Sequence, residues 1–455
     1  MKLFVKDRDF YRSYWSMTAV IALQNLITFA VNLADNIMIG GYSQAALSGV
    51  ALVNQIQFLL QMFAAGVGNG IVVLGAQYWG KKQVEPIRRV TTIGLLLAAA
   101  FSFLLAAAVY CFPRQTLSLL TNEAAVIEEG AKYLVIICFS YVIFAVTTTL
   151  LAALRSVETV RIGFVVNLTA LVFNVVLNYG LIYGRLGMPE LGVEGAAIAT
   201  LIARIVEFVI VAGYVLFGDK KLRWRLKDLL HPDGTLFRDY LRVGLPLIVS
   251  NSLWGIAMSA QTAILGRMGE ETIAANSTAT TIFQVVTVVS YGSANASGVV
   301  IGKTVGEGDI PRVKAYTKTL QIIYLGIGLA TGAVLWLCKD AIIALYSITP
   351  ATRELTVQFV GVLSVSVIGT SYQVACLVGI VTGGGDTKFV LINDLINQWL
   401  IVLPASFLAA FVFEAPLVVT FMCLKSDQLA KCLVAVVKVN RFKWIRVLTR
   451  EEISA

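Results

Sequence analysis

The sequence predicts an all-α membrane protein, with twelve transmembrane helices in two pseudo-symmetric six-helix lobes around a central cleft. Three observations lead there. Of 455 residues, 58% are hydrophobic and only 14% charged, with a mean hydropathy of +0.79. The apolar residues fall into runs of bilayer length. The second half of the chain repeats features of the first. A soluble protein carries about 25% charged residues, and single cores stop growing beyond ~250–300 residues, so this much apolar chain requires lipid. Water-soluble enzymes, disulfide-stapled secreted domains and disordered tails are excluded.

A helix needs ~20 mostly apolar residues to cross the bilayer core. Segments that meet this requirement are 14–39, 46–77, 90–112, 131–154, 162–183 and 192–217. A second set follows at 243–266, 272–302, 316–338, 355–382, 389–413 and 415–437. The last is the weakest, because Lys425, Asp427 and Lys431 interrupt it. The expected organisation is an N-terminal lobe over 1–217, a basic cytoplasmic connector over 218–242 and a C-terminal lobe over 243–455. No cleavable signal peptide is expected, since the chain is polar until Tyr14 and the first apolar run is too long.

The basic residues orient the spans. With the N-terminus inside, most of the 36 lysines and arginines fall in inner segments, including Lys81, Lys82, Arg88, Arg89, Arg155 and the connector "KKLRWRLKDLL". Only Arg114, Lys132, Arg185, Arg267, Lys339 and Arg353 fall outside. This predicts a multi-pass protein of the cytoplasmic membrane with both termini cytoplasmic. It also accounts for the net charge of +9 without a nucleic-acid partner. The connector reads as an amphipathic strip on an anionic leaflet, which makes membrane lipids expected partners.

Segments 39–56 and 265–282 resemble each other at an offset of 226, as do 72–89 and 299–315. The pair 155–165 and 383–392 is weaker. An even number of spans per half makes the repeat parallel, with its axis along the membrane normal. Two such bundles around a cleft suit alternating access, whereas a receptor has no need of the repeat.

Motifs along nearly the whole chain resemble the MATE family (multidrug and toxic compound extrusion). They are "NLADNIMIGGYSQAALSGVA", "GAQYWGKK", "NVVLNYGLIYG", "PELGVEGAAIAT", "GLPLIVSN", "GKTVGEGD" and "GGGDTK". The resemblance implies a secondary active antiporter, not an enzyme, that exports organic, often cationic and amphipathic compounds in exchange for H⁺ or Na⁺. It implies no cofactor beyond that ion, small organic substrates as partners, and a monomer. The alternative is a lipid-linked oligosaccharide flippase of related fold. The flippase is disfavoured because the spans facing the cleft hold few Arg or Lys.

Asp35 is the most informative residue. A charged Asp at a helix centre costs ~2.5–3.5 kcal/mol on insertion scales, so such residues face a cavity and usually work. Asn174 and Asn178 lie four apart on one helical face, and Thr200 lies on the next span. One carboxylate, two amide oxygens and a hydroxyl make a plausible hard-cation cage for Na⁺. The resemblance implies that these four positions bind the coupling cation, as in the DinF-like branch rather than the NorM-like branch.

Three departures qualify that likeness. Asn178 stands where the DinF-like branch commonly has a second acid. Spans seven and ten lack the carboxylates of the NorM-like branch. No proline bends the first span in "AVIALQN". Gln261 is the repeat partner of Asp35, so coupling is expected in the N-terminal lobe only.

Asp394 reads as a gate ion pair and Arg204 with Glu207 as an internal salt bridge. Cleft candidates for substrate are Gln55, Met62, Asn276, Gln284 and Tyr291, where an aromatic face and a pliable thioether suit an organic cation. The six cysteines lie inside apolar runs and form neither a disulfide framework nor a metal site. His231 reads as a solvated loop residue. "GGGD" lacks the Lys-Ser/Thr of a phosphate loop and reads as an inner turn.

Overall fold

The computed structural model describes residues 4–230, 233–344, 346 and 348–450, so His231 lies outside the described residues. Helices account for nearly all of it, and no strand occurs among the described residues. The first half runs α1 (Arg8–Tyr42), α2 (Gln44–Gly80), α3 (Val84–Cys111), α4 (Pro113–Ser118), α5 (Ala124–Ile137), α6 (Ser140–Ser156), α7 (Arg161–Tyr183) and α8 (Gly192–Gly213). The second half runs α9 (Gly234–Gly266), α10 (Glu270–Glu307), α11 (Ile310–Ile343), α12 (Pro350–Val374), α13 (Thr387–Asp394), α14 (Leu403–Phe411), α15 (Leu417–Lys425) and α16 (Asp427–Asn440). Two π-helical stretches, Ala375–Val381 and Leu395–Val402, continue α12 and join α13 to α14.

Ten helices are long and apolar enough to cross a membrane, and α5 with α6 makes an eleventh if the bent pair is one span. That pair bends by 54°. At the bend the Ser140 hydroxyl donates to the Ile137 carbonyl at 2.6 Å, competing with the backbone ladder where the two helices part. The twelfth segment is broken at Ser426 into α15 and α16, each too short to span alone. The charges that weaken its apolar pattern flank this break. Helices overrun the expected spans at both ends, as in α10, because polar turns prolong a helix beyond the hydrocarbon.

The chain divides into two compact units that cut across the sequence halves. One, termed here the N-terminal unit, comprises Leu23–Gly75 and Gln83–Ile248. The other, the C-terminal unit, comprises Met1–Ala22, Ala76–Lys82 and Val249–Ala455. Helices α1, α2 and α9 therefore each contribute to both. The connector belongs to the N-terminal unit. Trp224 is buried there and donates its indole N–H to the Thr92 hydroxyl at 3.1 Å, and Arg88 donates to the Leu222 carbonyl at 2.7 Å.

Within the N-terminal unit the core gathers Ile39, Val53, Leu60, Leu134 and Tyr141 from α1, α2, α5 and α6. Helices approach closely at small residues, as membrane packing favours. A Cβ on Gly49 would lie 2.6 Å from the Gly130 nitrogen, so α2 and α5 meet only because both residues are glycine. The core of the C-terminal unit includes Phe359 and Phe421, stacked with ring centroids 4.0 Å apart.

Candidate cation pocket

Polar side chains buried in an apolar bundle must find one another, since no water replaces a missing partner. In the N-terminal unit they form a chain of hydrogen bonds. Asn178 donates to the Asp35 carboxylate at 2.5 Å and to the Asn174 side-chain oxygen at 3.2 Å. Asn174 in turn donates to the Thr200 hydroxyl at 3.3 Å. Helical spacing makes this possible: Asn174 and Asn178 are successive positions on one face of α7, with Asp35 on α1 and Thr200 on α8. Asn174, Asn178 and Thr200 are all buried, while Asp35 is half-buried. The Asn178 side-chain oxygen is buried without a hydrogen-bond partner.

Asp35, Asn174 and Thr200 line a polar pocket that also takes in Asn32, Asn54, Gln57, Asn167 and Tyr133. Arg204 and Glu207 complete its wall, paired at 2.8 Å, with the guanidinium also over the Phe144 ring at 4.9 Å. That pair neutralises itself, which leaves the Asp35 carboxylate as the uncompensated charge of the pocket. An anionic oxygen, a free amide oxygen and a nearby hydroxyl are oxygen ligands of the kind that suit H⁺ or Na⁺.

The sequence reading missed Asn54, Gln57, Tyr133 and Asn167 as pocket residues. Asn54 and Gln57 are three apart on α2 and so share a face, a signal available in the spacing. Of the cleft candidates, Gln55 and Met62 belong to the N-terminal unit but do not line this pocket. Asn276, Gln284 and Tyr291 belong to the C-terminal unit, with Gln284 and Tyr291 exposed and Asn276 accepting a hydrogen bond from Thr280.

In that unit, Gln261 is buried, and Asp394 pairs with Lys431 at 2.9 Å. The "GGGD" segment forms a turn with Gly385 at φ 97, and its Asp386 pairs with Lys438 and Arg446 at 2.7 and 3.0 Å. Among the described residues no group of three or more His, Cys, Asp or Glu side chains is placed to hold a metal ion.

A polytopic helical bundle with a buried polar pocket defines a membrane transporter rather than an enzyme fold. A family model described as MatE matches residues 21–180 and 246–408, and the chain belongs to that family. It is 25% identical over 439 residues to "Probable multidrug resistance protein NorM" of Thermotoga maritima, covering 95% of this chain and 93% of that protein. A protein of the same name in Rhizobium meliloti is 27% identical over 402 residues, covering 86% and 84%.

Solved structures share the fold. One in the outward-facing conformation of a multidrug resistance MATE family transporter has a TM-score of 0.86 at 20% identity, covering 96% of this chain and 98% of that one. A MATE in complex with MaL6 has a TM-score of 0.85 at 20% identity, covering 95% and 96%. A Pyrococcus furiosus transporter of the MOP superfamily, described as having a binding pocket of reverse polarity, has a TM-score of 0.83 at 20% identity, covering 96% of each chain.

Proposed function

We propose that this chain is a secondary active antiporter that exports organic, often cationic and amphipathic compounds across the cytoplasmic membrane in exchange for a cation bound at Asp35. The observation that carries the reading is the half-buried carboxylate at the head of the Asn178–Asn174–Thr200 chain, beside an amide oxygen that has no partner. Membership of the MatE family supports export, and the relatives named as multidrug resistance proteins support organic substrates. A flippase is not favoured by the same comparisons.

Protons drive the exchange in this reading, with Na⁺ competing weakly. Asn178 supplies no second negative charge to offset the dehydration of a metal ion, and the Arg204 guanidinium in the same pocket opposes a further cation. A carboxylate that takes up a proton needs neither. The placement of the polar groups on α1, α7 and α8 supports the DinF-like branch. The distribution of lysine and arginine supports cytoplasmic termini, and the protein acts as a monomer in contact with membrane lipids.

The test is substrate efflux from proteoliposomes under separately imposed pH and Na⁺ gradients. Efflux that follows the pH gradient and only weakly the Na⁺ gradient is expected. Strict Na⁺ dependence without a response to pH would overturn the proton reading.

A further inference from the structure

The C-terminal unit holds a buried charge cluster that the proposed function does not use. Lys431, on α16, is only 6% exposed in its side chain, and its ammonium lies 2.9 Å from Asp394 and 3.7 Å from Asp427. The Asp427 side chain is 5% exposed and that of Asp394 26%. Both carboxylates are also held by neutral donors. Ser250 donates to Asp394 at 2.6 Å, and Gln428 donates to the two oxygens of Asp427 at 3.0 and 2.9 Å. Two acids and one ammonium leave the cluster one negative charge in excess. Burying it this way is costly, and replacing such a cluster by apolar groups is often neutral or stabilising, so fold stability alone does not call for it.

The place of the cluster in the internal repeat gives it meaning. Lys431 stands 227 residues beyond Arg204, Asp394 stands 227 beyond Asn167, and Ser250 stands 226 beyond Gln24. The N-terminal members of these pairs belong to the surroundings of the Asp35 pocket: Arg204 and Asn167 line it, and Asn167 donates to the Gln24 carbonyl. Their counterparts Ser250, Asp394 and Lys431 line a smaller pocket with Trp254, Trp399 and Gln398. Gln398 is buried, and its amide nitrogen has no hydrogen-bond partner. The chain is π-helical from Leu395, directly after Asp394, a distortion often found at functional sites.

In the N-terminal pocket the basic residue is neutralised by an acid three positions away on its own helix, and Asp35 is left without a basic partner. In the C-terminal pocket the basic residue is held by the acid of another helix. We propose that the C-terminal pocket is a monovalent-cation site whose occupant is the chain's own Lys431 ammonium, so that this unit takes up no Na⁺ from solution. Removing the ammonium while keeping Asp394 leaves a preorganised carboxylate beside a hydroxyl and an amide, a set of groups that Na⁺ accepts.

The test is binding of radiolabelled Na⁺ to the full-length protein in detergent, with choline as the balancing cation. All variants carry Asp35→Asn, and each gain is read against that parent, so the outcome does not depend on whether Asp35 couples transport. Lys431→Met with Asp427→Asn leaves one carboxylate and is expected to gain saturable Na⁺ binding, which adding Asp394→Asn removes. Lys431→Arg keeps a tethered cation and is expected to gain none.

Lys431→Met alone leaves two unpaired carboxylates. Its melting temperature is expected to fall in choline and to recover as Na⁺ is added, because a ligand that binds the folded state stabilises it. No gain of Na⁺ binding in the folded double variant, or a gain in Lys431→Arg equal to that in the methionine variant, would overturn the proposal. A Lys431→Met melting temperature that does not respond to Na⁺ would do so as well.

Discussion

The Asp35 and Lys431 pockets occupy corresponding positions in the two halves of the chain, yet they balance charge in opposite ways. Around Asp35 the only fixed cation, Arg204, is neutralised by Glu207 at 2.8 Å, and the acid's hydrogen-bond partner is the neutral Asn178. Around Asp394 the fixed cation is the acid's partner, at 2.9 Å, with Asp427 close behind. A single acid three residues along α8 thus determines whether a unit's pocket is open to an outside cation. A parallel repeat duplicates a scaffold, and side-chain pairing then decides which copy keeps an exchangeable site.

The comparison would break most sharply at Asp35. Asp35→Asn is expected to reduce gradient-driven dye export to that of protein-free liposomes while the protein stays folded and inserted. Near wild-type pumping against a gradient would remove the assignment. Lys431→Ala is expected to destabilise the protein by about 3–5 kcal/mol, the usual cost of leaving a buried carboxylate without its partner. Chemical denaturation in detergent measures it, and a loss below about 1 kcal/mol would place the pair in the range of surface ion pairs.

Asn178→Asp sharpens the comparison from the other side. The added charge offsets more of a metal ion's dehydration cost, so efflux should shift towards the Na⁺ gradient and away from the pH gradient. Gradient-resolved efflux checks this against the wild type. The smallest effect is expected at Gln261, the repeat partner of Asp35. Gln261→Ala should retain most transport, because an uncharged amide neither takes up a proton nor replaces a cation's charge. Loss of ion coupling in a folded Gln261→Ala protein would bring the C-terminal unit into the coupling step.

The long spans were legible because a helix in lipid must be both apolar and long, and those two properties are local. The grouping of Asp35 with Asn174, Asn178 and Thr200 was suggested by residue type, by i, i+4 spacing and by family resemblance. What escaped the sequence depends on distant parts of the chain. Lys431 reads as a flaw in an apolar run until Asp394, on another helix, is seen to hold its ammonium. The passage of Met1–Ala22 and Ala76–Lys82 into the C-terminal unit leaves no mark in composition, since both segments continue helices whose remainder lies in the other unit. The bend between α5 and α6 turns on Ser140, one small hydroxyl among apolar neighbours.

The π-helical stretch Leu395–Val402 also bears on how the lengths of related chains should compare. A π turn holds about one residue more than an α turn of the same rise, so it behaves as an insertion absorbed within a helix. A chain one residue shorter in this segment would run as plain α-helix there and keep both flanks in phase. Single-residue gaps in alignments should therefore collect at 395–402, where a deletion restores regular geometry. In α8, an uninterrupted α-helix, the same deletion would turn everything beyond it by about 100° and carry Thr200 and Arg204 away from the pocket.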